Sequence, residues 1–106
     1  MIYETLTKSA LKNELILVDN GYCRYHIRRD NQLTIYEILV LPKFRGRGIG
    51  SGILKMLEEF DVSSIFARCP VDLPSNEWYI NRGFILDGTE TTGSGRGLNL
   101  WRKMLG

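Results

Sequence analysis

Between Arg45 and Gly52 the chain reads Arg-Gly-Arg-Gly-Ile-Gly-Ser-Gly. A strand-like run closes at Leu41-Pro42 just before it, and a helical pattern starts just after it. A helix start carries backbone N–H groups without intrahelical partners and a partial positive charge. Glycine lets that backbone approach an anion with no Cβ in the way. Arg45 and Arg47 add charge-assisted hydrogen bonds, and no acid lies between Glu37 and Glu58. The chemistry suited to this turn is the binding of a phosphate or diphosphate. A merely solvated turn would leave the glycine density unexplained.

Two nucleotide motifs fail. G-x-G-x-x-G needs a third glycine at its sixth position, where Ser51 or Ile53 stands. A Walker loop needs Gly-Lys-Ser/Thr, and that tripeptide is absent. Metal chemistry has little to draw on. Cys23, Cys69 and His26 are the only cysteines and histidine, too few for a four-ligand zinc site without carboxylates. Both thiols read as free, in a reducing cytoplasm. The N-terminus lacks the apolar core of a signal peptide, and no run nears the roughly 20 apolar residues that span a bilayer. A net charge of +2 is too small to argue for nucleic acid.

The elements that must hold the turn follow from the pattern. With 106 residues the chain is enough for one domain, 1–106, but not two. The spacing predicts a short helix over 5–13, capped by Thr5 or Thr7. Glu14–Val18 and Tyr22–Arg28 read as a hairpin whose Asn20-Gly21 supplies the left-handed conformations. Leu33–Leu41 is a long third strand that Pro42 ends. Ile49, Ile53, Met56, Leu57 and Phe60 form one face of a helix. Ser64–Arg68 reads as a buried strand. Ser75 or Asn76 caps a helix that Gly83 stops, and Phe84–Leu86 with Leu98–Met104 make a last pair of strands. The result is an α/β (α+β) mixed sheet with helices on its faces.

Arg45-x-x-Gly48-x-Gly50, preceded by Val40-x-Pro42-x-Phe44, resembles the diphosphate loop of the GNAT superfamily of acetyl-CoA-dependent N-acetyltransferases. Asn76-Glu-Trp-Tyr79-Ile-Asn-Arg-Gly83-Phe84 resembles that family's second signature, about one helix and one strand further on. The resemblance covers residues 36–86 well, and the region before it is shorter than the family's usual N-terminus. It implies acetyl-CoA as co-substrate, no metal, and direct transfer to a primary amine. It also implies that the strand before the loop splays from its parallel neighbour to admit the pantetheine arm. Backbone groups of Ile38, Leu39 and Val40 would hold that arm, with an N–H near Leu39 polarising the thioester carbonyl. Gly46, Arg47, Gly48, Ile49, Gly50 and Ser51, with Arg45, would hold the diphosphate. Tyr79 stands where the family often has a tyrosine that protonates the leaving thiolate; its other reading is a packing aromatic.

The base is open. Glu37, on the central strand, is the candidate the resemblance favours, with a solvated carboxylate as its alternative. Asp72, His26 and a water relay remain, and His26 reads more readily as structural or exposed. Asn76 either contacts the coenzyme or caps its helix. Cys69 reads as a small buried residue rather than a nucleophile. Gly93–Gly97 is a lid over the acceptor or an ordinary hairpin tip. The acceptor itself, a small molecule or a protein amine, is not legible. A small core is compatible with a homodimer. The competing functions are a GNAT-fold binding module without activity and a protein that binds or modifies nucleic acid.

Overall fold

Leu15–Val18, Gly21–Ile27 and Gln32–Val40 form three strands, β1, β2 and β3, joined by turns short enough to force antiparallel pairing. The computed structural model describes residues 2–106, with side chains from Glu4 onward. Asn20 and Asn31 carry the two turns in left-handed backbone, with φ of 67° and 68°. The Asn20-Gly21 pair works differently from the expectation. Only Asn20 is left-handed, and Gly21 already opens β2, where a Cβ would stand 2.8 Å from the Leu39 carbonyl oxygen.

Beyond β3 the chain passes through a 3-10 turn, Pro42–Phe44, and helix α2, Ile49–Glu58, into β4, Ser64–Pro70. A helical crossover returns the chain in the same direction, so β4 lies parallel to β3. Helix α3, Ser75–Asn81, then leads to the hairpin of β5, Ile85–Thr91, and β6, Gly97–Met104. Strand β6 pairs with β4 and leaves β5 at the edge, giving the order β1-β2-β3-β4-β6-β5. This is the mixed α/β sheet expected. A first helix, α1, spans Ile2–Leu11. It begins before Thr5, so Thr5 and Thr7 lie inside it and do not cap it.

Helix α2 buries Ile53, Leu54 and Leu57. The expected stripe contained Met56, which is instead 43% exposed; the helix rolls so that Leu54 faces the sheet. Leu33, Ile53, Leu57 and Ile65 are fully buried, each contributing on the order of 1.5–3 kcal/mol. Cys23, Tyr25, Ile35, Ala67 and Cys69 join the same core, as does Tyr79 of α3. One sheet face is therefore covered by α2 and α3. Strand alternation puts Arg24, His26, Thr34, Phe66 and Arg68 on the other face. There Phe66 is buried under the guanidinium groups of Arg68 and Arg102, 5.0 and 5.3 Å from its ring centre. Among the described residues, no helix is long and apolar enough to cross a membrane.

Candidate active site

The parallel ladder between β3 and β4 runs from Gln32↔Ser64 to Ile35↔Ala67 and stops. Both strands continue, β3 to Val40 and β4 to Pro70, with no pairing between them. The cause is local. Between Arg24 and Tyr25 the β2–β3 register slips by one residue, so that Tyr36 is the extra residue of a β-bulge. A bulge bends its strand and raises its twist, which carries the end of β3 away from β4. The register also fixes which peptides face the opening. Leu41 N–H donates to the Asn20 carbonyl, so Leu39 and Glu37, in the same phase, turn their peptides to β2. The peptides of Ile38 and Val40 turn into the gap. Leu39, one of three expected backbone ligands, is thereby committed to the neighbouring strand.

The gap opens into a cleft of about 620 Å³. One wall is the glycine turn. Gly46 and Gly48 are left-handed, with φ of 79° and 81°, and a Cβ on either would meet no atom within 4 Å. The first intrahelical bond of α2 is Gly52 N–H to Gly48 O, so the N–H groups of Ile49, Gly50 and Ser51 point outward without helical partners. Arg45 folds back and donates through Nε to the Val40 carbonyl at 3.0 Å, tying the turn to the splayed strand. Arg47 lies outside the cleft, its guanidinium 5.2 Å from the ring centre of Phe44. Gly50 also makes room for α3, since a Cβ there would press on the Trp78 indole at 3.2 Å. The Ser51 hydroxyl is held by Arg82 through Nε and Nη2, at 3.2 and 3.0 Å.

The opposite wall is β4 and α3. Tyr79 is buried, edge-on to Trp78 and Phe84 and stacked at 6.4 Å on Trp101, and it lines the cleft. Burial, with smaller contributions from the neighbouring Cys69 and Cys23 thiols, raises its pKa well above 10.0. The phenol is therefore a proton donor throughout the neutral range. Cys69 also lines the cleft; burial, and then Asp72, raise its thiol, which keeps it protonated.

Glu37 lines the cleft and pairs with Arg24 at 3.1 Å. It is the one acid among the lining residues. Asp72 is 3.6 Å from Arg96, its side chain 70% exposed and outside the cleft. Asn76 requires correction. It does not cap α3, which starts at Ser75 after Pro74, and it does not line the cleft. Its Nδ2 donates to the carbonyls of Pro70 and Leu73, both at 2.8 Å, while Oδ1 accepts from Asn99 and from Trp101 Nε1. Gly93–Gly97 is the tip of the β5–β6 hairpin, closed by Thr92 N–H to Arg96 O, and is not part of the cleft. Trp78 and Arg82 were not singled out by sequence reasoning. Their spacing of four, from α3 to the residue that ends it, with the guanidinium 4.7 Å from the indole, is the signal that finds them. The described residues contain no group of three or more His, Cys, Asp or Glu able to hold a metal.

A family model described as an acetyltransferase (GNAT) domain matches residues 9–86. An uncharacterised N-acetyltransferase of Schizosaccharomyces pombe is 31% identical over 68 residues, 60% of this chain and 47% of that one. The chain thus spans about half the length of that relative. Among solved structures, nourseothricin acetyltransferase superposes with a TM-score of 0.74 at 21% identity, over 82% of this chain and 58% of its own. A Bacillus anthracis protein assigned to the streptothricin acetyltransferases, solved in complex with acetyl coenzyme A, gives 0.72 at 17% identity, over 82% and 57%. The ribosomal-protein-S18-alanine N-acetyltransferase of Escherichia coli gives 0.67 at 17%, over 81% and 61%. At these identities the structural likenesses show the fold.

Proposed function

The chain belongs to the GNAT acetyltransferase family, and on that premise we propose that it moves an acetyl group from acetyl-CoA directly to a primary amine. The observation that carries this reading is the break in the β3–β4 ladder after Ile35↔Ala67, placed immediately before the glycine turn. Acetyl-CoA supplies the acetyl group already activated as a thioester. Its fit to the chain is physical. The peptide of Ile38 and the N–H of Val40 are free of strand pairing on the gap side, suited to a pantetheine amide, while the Val40 carbonyl accepts from Arg45 Nε. Arg45 and the first residues of α2, Ile49 and Gly50, line the same cleft, a setting suited to a diphosphate.

Glu37 takes the proton that the attacking ammonium must lose, directly or through one water, while Arg24 holds its carboxylate in place. A gap-facing N–H of Ile38 or Val40 donates to the acetyl oxygen as negative charge builds there. Tyr79 delivers a proton to the leaving sulfur, a role its raised pKa permits by keeping the phenol protonated. A C–N bond forms and the C–S bond breaks; Glu37 takes the first proton of the ammonium, and the second, released from nitrogen as the tetrahedral intermediate collapses, restores the Tyr79 phenol that has protonated the sulfur.

An assay for released thiol, run with pools of small amines, tests the reading. Turnover that requires both acetyl-CoA and an amine is the expected result. Tyr79→Phe should lower kcat by about 10²-fold, the usual scale of general-acid catalysis, with acetyl-CoA affinity unchanged by calorimetry. Equal turnover in the two proteins would remove Tyr79 from the mechanism.

A further inference from the structure

A second cavity, of about 300 Å³, is lined by His26, Arg28, Thr34, Tyr36 and Arg68. Tyr36 and Arg68 line the first cleft as well, so the two spaces meet where the β3–β4 ladder has ended. Strand alternation places His26, Thr34 and Arg68 on the sheet face away from α2 and α3, opposite the glycine turn. A molecule in this cavity would reach the gap from the side that the glycine turn does not occupy.

The lining is one-sided in charge. It offers two guanidinium groups and an imidazole, and no acid. The acids nearest these groups stand outside it. Glu14 lies 2.5 Å from His26 Nδ1, which leaves Nε2 as the uncommitted ring nitrogen. Glu90 takes Arg68 through Nε at 2.9 Å, and neither Nη atom of Arg68 enters a hydrogen bond among the described residues. Asp30 is 3.8 Å from Arg28 Nε, beyond hydrogen-bond distance. Thr34 and the flat ring of Tyr36 complete the lining; Tyr36, 55% exposed, is stacked on His26 at 6.2 Å with 9° between the rings. Charge changes sign from this cavity to the first cleft. Glu37 lies at the gap, next to Tyr36. Arg28 follows the end of β2, where its backbone N–H meets Gln32, four residues before Tyr36 on β3.

Resting on the acetyltransferase reading above, we propose that the acceptor is a small amine that also carries an oxyanion group, a carboxylate or a phosphate. Its ammonium end faces Glu37 at the gap, and its anionic end is held by Arg28 and Arg68. A cavity of this volume is at the small end of ligand sites, which suits a short amino acid or amino phosphate. The same cationic lining disfavours a second ammonium group, and so a polyamine.

The test compares matched acceptors in the thiol-release assay: γ-aminobutyrate, its carboxamide, putrescine and aminoethyl phosphate. The proposal expects the two anionic amines to exceed the carboxamide and putrescine in kcat/KM by about ten-fold or more, the scale of one charge-assisted contact. Which of the two anionic amines leads distinguishes carboxylate from phosphate. Arg28→Gln, at a position that does not line the first cleft, should abolish the preference through KM. The carboxamide or putrescine being used as well as the acids would overturn it. So would a preference that survives Arg28→Gln. Calorimetric titration with acetyl-CoA on the same samples separates failure of this proposal from failure of the reading beneath it.

Discussion

Asn76 makes hydrogen bonds in two directions, and its carbonyl oxygen is the one partner that the Trp101 indole N–H and the Asn99 side-chain amide show among the described residues. Its amide satisfies loop carbonyls of Pro70 and Leu73, and its carbonyl oxygen satisfies Asn99 and the indole N–H of Trp101. Asn76→Ala should therefore lower unfolding free energy by about 2–4 kcal/mol, from groups left unpaired in a partly buried site. Urea denaturation measures this, and acetyl-CoA affinity of the folded fraction should hold. Unchanged stability with lost affinity would mean that Asn76 does touch the coenzyme. The residue type was legible as functional or capping, but the partner that decides its role lies 25 positions away at Trp101, and spacing carries no sign of it. The place of Tyr79 in the wall of the cleft was legible for the opposite reason. Its place in the helix four residues before Gly83 is local, and the burial that raises its pKa follows from the aromatic residues around it.

The strand–turn–helix unit shows what an element adds to its residues. Gly48 is left-handed at the start of α2, whereas Gly52 is helical, exposed and has no atom within 4 Å of where a Cβ would stand. Gly48→Ala should cost about 1–2 kcal/mol in backbone strain and weaken acetyl-CoA binding, since Gly48 is left-handed and lines the cleft. Gly52→Ala should stabilise the protein by about 1 kcal/mol through helix propensity and leave binding intact. Paired thermal melts and titrations check both, and a stabilising Gly48→Ala would contradict the geometry. Period, turn residues and the Pro42 stop made most elements readable in sequence. The bulge at Tyr36 was not, because no residue type demands it. It arises from how the β2–β3 register is accommodated between two partners, and it decides which backbone groups face the cofactor.

Across the whole molecule, the sheet holds the two halves of the cleft at opposite sides of one parallel pair. Cys23, on β2 beside that pair, sits fully buried in the core. Burial pushes its thiol up from 9.0 to about 12, Arg24 opposing this and Glu37 adding to it. The unfolded chain then loses this proton before the folded one does. Stability is unaffected by Cys23 below pH 9 and falls by up to roughly 1.4 kcal/mol per pH unit as pH rises from there towards 12. In Cys23→Ala, unfolding free energies at pH 8 and 10.5 should differ less than in the wild type; an equal decline would assign the alkaline loss elsewhere. The central claim is that the splayed strands and the glycine turn bind a CoA thioester. Isothermal titration of the folded protein with acetyl-CoA tests it most directly. Saturable heat at one site per chain, weakened by Gly48→Ala and unchanged by Gly52→Ala, is the predicted result. A flat titration of wild-type protein would contradict it.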